Sequence, residues 1–93
     1  MERPIERYAF RLRIRQQIVE HEGRLRREED GRCSLQVWVR TPEQPNILLT
    51  VDPVKRAEAV WPLFRALCAH RGYAPVEMRA VDGTPGPWTP IPE

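Results

Sequence analysis

Few side chains in this 93-residue chain can do covalent or metal chemistry: two histidines, His21 and His70, and two cysteines, Cys33 and Cys68. The stretch "CAHRG" sets Cys68 and His70 two positions apart. On a helix that spacing turns them about 200° away from each other, so they neither share a metal nor form a nucleophile and base. Cys33 could meet either histidine only through the fold, and nothing near it in sequence orients such a pair. The acids Glu20, Glu22, Glu28, Glu29 and Asp30 read as a solvated charge run rather than a metal cage, and the five glycines do not form a phosphate-binding loop. No enzymatic activity, no metal and no cofactor are expected. Both cysteines stand in apolar surroundings and read as buried thiols, unlike the dense disulfide framework of small secreted domains.

The chemistry the chain does offer is recognition by arginine. In "AFRLRIRQ", residues 9–16, apolar and basic side chains alternate strictly from Phe10 to Arg15. Fourteen of the 15 basic residues are arginine, each a planar fork able to hold carboxylate or phosphate through two hydrogen bonds. With 13 acids the balance is close to neutral, but it is uneven. Residues 1–40 hold ten arginines against seven acids, net +3, and residues 41–93 hold five basic groups against six acids, net −1.

The elements that must position these arginines follow from periodicity. In a strand, alternate side chains point to opposite faces, so residues 8–15 place Phe10, Leu12 and Ile14 toward a core and Arg11, Arg13 and Arg15 outward. Residues 16–29 read two ways: a short amphipathic helix with a thin apolar face, or a continuation of the strand into a hairpin around Gly23. Asp30-Gly31 is a turn signal. "CSLQVWVR" then alternates cleanly, with Cys33, Leu35, Val37 and Val39 inward and Ser34, Gln36, Trp38 and Arg40 outward. "TPEQPN" is a loop, and residues 47–51 form a strand antiparallel to the one before.

Asp52-Pro53 has the form of an N-cap and first helical position. A helix with Val54, Ala57, Trp61, Phe64 and Cys68 on its apolar stripe follows, kinked or restarted at Pro62 and ending at Arg71-Gly72. Residues 74–81 give a last strand, with Glu77 and Arg79 on its outer face. The segment "DGTPGPWTPIPE" holds four of the ten prolines and is expected to lack regular structure, lying either as a clasp on its own sheet or as an exposed peptide.

Together these predict one α+β domain over residues 1–82 with a Pro-rich tail over 83–93. An antiparallel sheet of about four strands carries one or two helices on one face. It is either a ferredoxin-like split βαβ arrangement or a β-meander plus one helix. The sheet's other face carries Arg11, Arg13, Arg15, Gln36, Trp38, Arg40 and Arg79, and Trp88 in the tail joins them as a candidate partner-binding residue. The bland reading of the same residues is a solvated face with acidic partners across the strands.

Two ligand classes suit the face. Tryptophan and arginine are enriched in protein-interface hot spots, which suggests a small protein-binding module acting as a regulator or inhibitor of the phage or mobile-element kind. The alternative is single-stranded nucleic acid, stacking on Trp38 and neutralised by arginine, although the paired aromatics of an RNA-reading sheet are missing. A homodimer formed through an edge strand is a third expectation. No apolar run is long enough to span a bilayer and the first residues lack a secretion signal, so a cytoplasmic protein without membrane contact is expected.

Overall fold

The computed structural model describes residues 5–93. β1 (Ile5–Ile14) and β2 (Gln17–Arg27) are followed by β3 (Cys33–Val39) and β4 (Ile47–Val54). A 3-10 turn (Ala57–Ala59) leads into α1 (Val60–His70), then come β5 (Ala74–Ala80) and the two-residue β6 (Thr89–Pro90). The six strands form one sheet in the order β4-β3-β2-β1-β5-β6, antiparallel throughout. The class is α+β as expected, with six strands in place of about four and a single short helix. The split βαβ arrangement is excluded, because residues 17–27 are a strand.

The first hairpin closes earlier than the sequence suggests. Ile14 pairs with Gln17 across a two-residue turn at Arg15 and Gln16, whose φ angles are 53° and 68°. Positive φ at both central positions is the mark of a type I′ turn, whose twist matches that of the flanking strands. Such turns usually announce themselves with Asn or Gly, and here arginine and glutamine occupy the left-handed region instead. Gly23, read as a turn residue, lies mid-strand opposite Tyr8, and the Phe10 ring rests against its backbone. A Cβ there would sit 2.3 Å from Phe10 Cε2.

The second correction concerns the helix start. Asp52 and Pro53 belong to the end of β4, an edge strand, where a missing N–H is tolerated. Arg56 is the residue that caps the 3-10 turn, with no side-chain hydrogen bond, and the α-helix proper begins at Val60. Pro62 is therefore the third residue of α1, in the first turn where no N–H has an intrahelical partner, so it interrupts nothing. At the other end Gly72 has φ 78°, and the Tyr73 N–H donates to the Cys68 carbonyl at 2.8 Å, closing the helix as expected.

The core lies between one sheet face and α1. Phe10, Leu12, Leu25, Leu35, Val37, Val39, Leu49 and Val51 from the strands meet Val60, Trp61, Phe64 and Cys68 from the helix. Phe10 is its centre, with ring centroids 5.4 Å from Phe64 and 6.3 Å from Trp61. The C-terminal segment also contributes. β6 pairs with β5, Ile91 is 1% exposed in the core, and Arg65 of α1 donates hydrogen bonds to the carbonyls of Ile91 and Pro92. The expectation that this segment lacks regular structure is corrected to that extent. No helix among the described residues is long and apolar enough to cross a membrane.

Candidate interaction face

The face of the sheet opposite α1 carries the outward arginines, and strand register sorts them into rows running across the strands. In the first row Glu77 of β5 is opposite Arg11 of β1, which is opposite Glu20 of β2. Arg11 Nη1 donates to Glu77 Oε1 at 2.8 Å, so the one arginine of this row is already paired. The second row runs Arg79, Ala9, Glu22, Trp38 and Leu48, and the antiparallel register of β6 sets Trp88 beside Arg79 at its end. The third row is Arg7, Arg24, Gln36 and Thr50, and Arg26 is one step further on, opposite Ile5 and Ser34.

Two tryptophans thus stand toward opposite ends of one row and do different things. The Trp88 ring has the Arg11 guanidinium 3.9 Å and the Arg79 guanidinium 4.6 Å from its centroid. Arg79 Nε is buried with no hydrogen-bond acceptor, a sign of how closely the ring covers it. Trp38 remains 37% exposed, with the Arg24 guanidinium 5.2 Å from its ring centroid. Of the two expected placements of the tail, the one found is the clasp on its own sheet: it covers Arg11 and Arg79 and leaves Trp38 open.

Between the tryptophans, Ala9 and its missing bulk open a depression of about 660 Å³, lined on this face by Glu22, Arg24, Trp38, Arg40 and Val81 and at one end by Asn46. Arg7, Arg13, Arg24, Arg26 and Arg40 have no ion pair among the described residues. Arg7 and Arg24 are directly opposed.

The candidate residues divide accordingly. Gln36, Trp38 and Arg40 sit together beside the depression, and Arg13 is exposed near the hairpin end. Arg11, Arg79 and Trp88 are engaged with one another. Arg15 is not on the strand face: it occupies the turn and pairs with Glu43 in the loop between β3 and β4. Arg7, Arg24 and Arg26 were missed. Arg7 fell before the expected start of the first strand, and the other two fell in the ambiguous stretch 16–29.

The groups with chemical potential lie elsewhere. Cys33 and Cys68 are buried free thiols, and burial pushes Cys68 up to about 12. His21 is on the core face opposite Phe10, 5% exposed, with Nε2 buried and unpartnered; desolvation lowers its pKa against a smaller opposing pull from Glu20. At the end of the core face Tyr8 donates to Glu6 Oε1 at 2.7 Å and Arg27 Nε donates to Oε2. Burial alone would raise the Glu6 carboxyl, but these two hydrogen bonds outweigh it and hold it below its ordinary value. Tyr8 is pushed up to about 12, by burial first and by Glu6 second. Among the described residues no three His, Cys, Asp or Glu side chains gather where they could hold a metal ion. The chain matches no protein-family model, no curated protein and no solved structure.

Proposed function

We propose that this chain is a non-enzymatic protein-binding module whose open sheet face grips an acidic, extended segment of a partner protein. The observation that supports it is the opposition of Arg7 and Arg24, neither of whose guanidinium groups has an ion pair among the described residues, the Asp82 carboxylate accepting from the Arg7 backbone N–H at 2.9 Å and not from its side chain. Like charges directly opposite each other destabilise a strand pair, so this arrangement opposes folding unless a carboxylate relieves it. Arg24 also lies over Trp38, offering charge and a flat apolar surface together, the two residue types most enriched in interface hot spots. The depression beside them has room for a side chain or two of the partner. A module that acts by occupying its partner in this way suits a regulator or inhibitor.

Single-stranded nucleic acid is the weaker reading because acids interrupt the face. Glu20, Glu22 and Glu77 share the face with the arginines, and Arg11 is already committed to Glu77. A phosphate chain tracking across it meets alternating signs, whereas a protein segment can place carboxylates over arginines and neutral side chains over glutamates.

Amide chemical shifts of the isotope-labelled protein, followed while a short Asp- and Glu-rich peptide carrying one tryptophan is added, test the proposal. Shifts gathered on Arg7, Arg24, Arg26, Trp38 and Arg40 support it. Shifts confined to α1, or none at all, contradict it.

A further inference from the structure

β4 ends the sheet on one side and pairs with β3 alone. At the opposite end the sheet finishes in two residues set among Pro87, Pro90 and Pro92, which blunts that edge. β4 has no such protection over Ile47–Val51: those five residues, "ILLTV", contain no charge and no proline, and Asp52-Pro53 comes only after them. Edge strands in stable monomers normally carry a lysine, a proline, a bulge or a covering element, because their unpaired N–H and C=O groups invite another strand. Leu48, in the middle of this edge, is 47% exposed, and its neighbour across β3 is the exposed Trp38. Two large exposed apolar side chains therefore meet at the stretch of this edge that precedes the register irregularity and Pro53 at residues 51–54.

We propose that the β4 edge pairs antiparallel with the β4 edge of a second copy of this chain, about a two-fold axis at Leu48. In that register Leu48 faces the second copy's Leu48, Ile47 faces Leu49 and Asn46 faces Thr50. On the open face the apolar pair Trp38 and Leu48 continues across the axis into the same pair of the second copy. On the core face the match of Ile47 with Leu49 extends the buried rows of both sheets. An axis at Leu49 would instead oppose Leu48 to Thr50, and one at Thr50 would oppose it to Asp52, leaving the leucine without an apolar match in either case. A two-fold interface must be self-complementary, and an uncharged strand whose exposed leucine pairs with itself meets that condition.

About five residues from each chain bury less than the roughly 1,200 Å² of a standard interface, so the dimer is concentration-dependent. Because the axis stands perpendicular to the sheet, both copies present their arginines on the same side. A partner with two acidic segments would then bind with a gain from effective concentration. The pairing does not rest on the acidic-partner reading: Arg24→Glu, which removes the proposed partner site, leaves self-association unchanged.

Sedimentation equilibrium over a range of concentrations, on wild type and on Leu48→Lys, tests the proposal. The wild-type mass is expected to rise toward that of two chains and the variant to stay at one, with unchanged circular dichroism. Cross-linking fixes the register and does not depend on how Leu48→Lys folds. Directly opposed antiparallel residues have Cα atoms about 4.5–5.5 Å apart, within disulfide reach, whereas the two Thr50 residues would be about 13 Å apart along the strands. Leu48→Cys is expected to form an interchain disulfide under mild oxidation and Thr50→Cys is not, the native thiols being buried. A wild type that stays monomeric near millimolar concentration overturns the proposal. So does association that survives Leu48→Lys in a folded variant, or cross-linking at Thr50 in place of Leu48.

Discussion

Four residues of the first hairpin show how much a single side chain decides. Gly23 leaves the space that the Phe10 ring occupies, and a Cβ would meet Cε2 at 2.3 Å. Gly23→Ala is therefore expected to destabilise the fold by about 1–3 kcal/mol, the usual range for overpacking, read from denaturant unfolding. His21 sits neutral in the core with Nε2 unpartnered. Its pKa is lowered in the folded state, so as pH falls below the ordinary histidine value of about 6.5 the unfolded chain takes up the proton first and stability declines. Unfolding midpoints measured from pH 7.5 downward should show this decline in the wild type and a shallower one in His21→Leu. At the turn, Arg15 and Gln16 hold positive φ without the residues suited to it. Replacing them by Asn-Gly is expected to stabilise by about 1 kcal/mol, a rise in Tm of about 4–8 °C for a domain this size. The exposed Arg15 and Glu43 pair lost in the exchange subtracts little.

At the scale of elements, what could be read from the sequence depended on whether the core-facing positions were apolar. β1, β3 and β5 alternate visibly because Phe10, Leu12, Leu35, Val37 and Met78 mark the buried face. The helix was legible from its apolar stripe, although its start was not, because Asp52-Pro53 imitates an N-cap while ending an edge strand. β2 was obscured for a physical reason. Its core-facing positions include His21 and Gly23, a buried polar group and a residue with no side chain, so the alternation that reports a strand is absent where the packing against Phe10 is tightest. The hairpin turn was hidden in the same way, by residues that do not advertise positive φ. The C-terminal segment reads as proline-rich and unstructured, yet the β6 register sends Trp88 to one sheet face and Ile91 to the other. Ile91→Ala is expected to cost about 2–5 kcal/mol, as for other large-to-small core changes. Removing residues 88–93 should do at least as much and also release Arg11 and Arg79 to solvent, which a loss of Trp88 fluorescence alone would not explain.

At the scale of the whole molecule, one face of the sheet is committed to the core and the other is a chemically sorted surface. One row pairs Arg11 with Glu77, one is anchored by the stacked Trp88, and one sets Arg7 against Arg24 with no ion pair to either guanidinium among the described residues. The general character of this face, arginines with an outward Trp38, followed from alternation along β1 and β3. Its centre did not, because that centre is a property of register: Arg24 and Arg26 become neighbours of Arg7 only when β2 is known to be a strand and its turn is placed at residues 15 and 16. For the open face the proposed ligand is an acidic protein segment and not nucleic acid. The most direct test is fluorescence anisotropy of a labelled Asp- and Glu-rich peptide and of labelled single-stranded DNA, titrated in parallel with wild type and Arg24→Glu at about 50 and 200 mM salt. Saturable peptide binding that falls at least tenfold in Arg24→Glu is expected, with DNA bound far more weakly at both salts. DNA bound more tightly than the peptide with a steep salt dependence, or peptide affinity unchanged in Arg24→Glu, would contradict it.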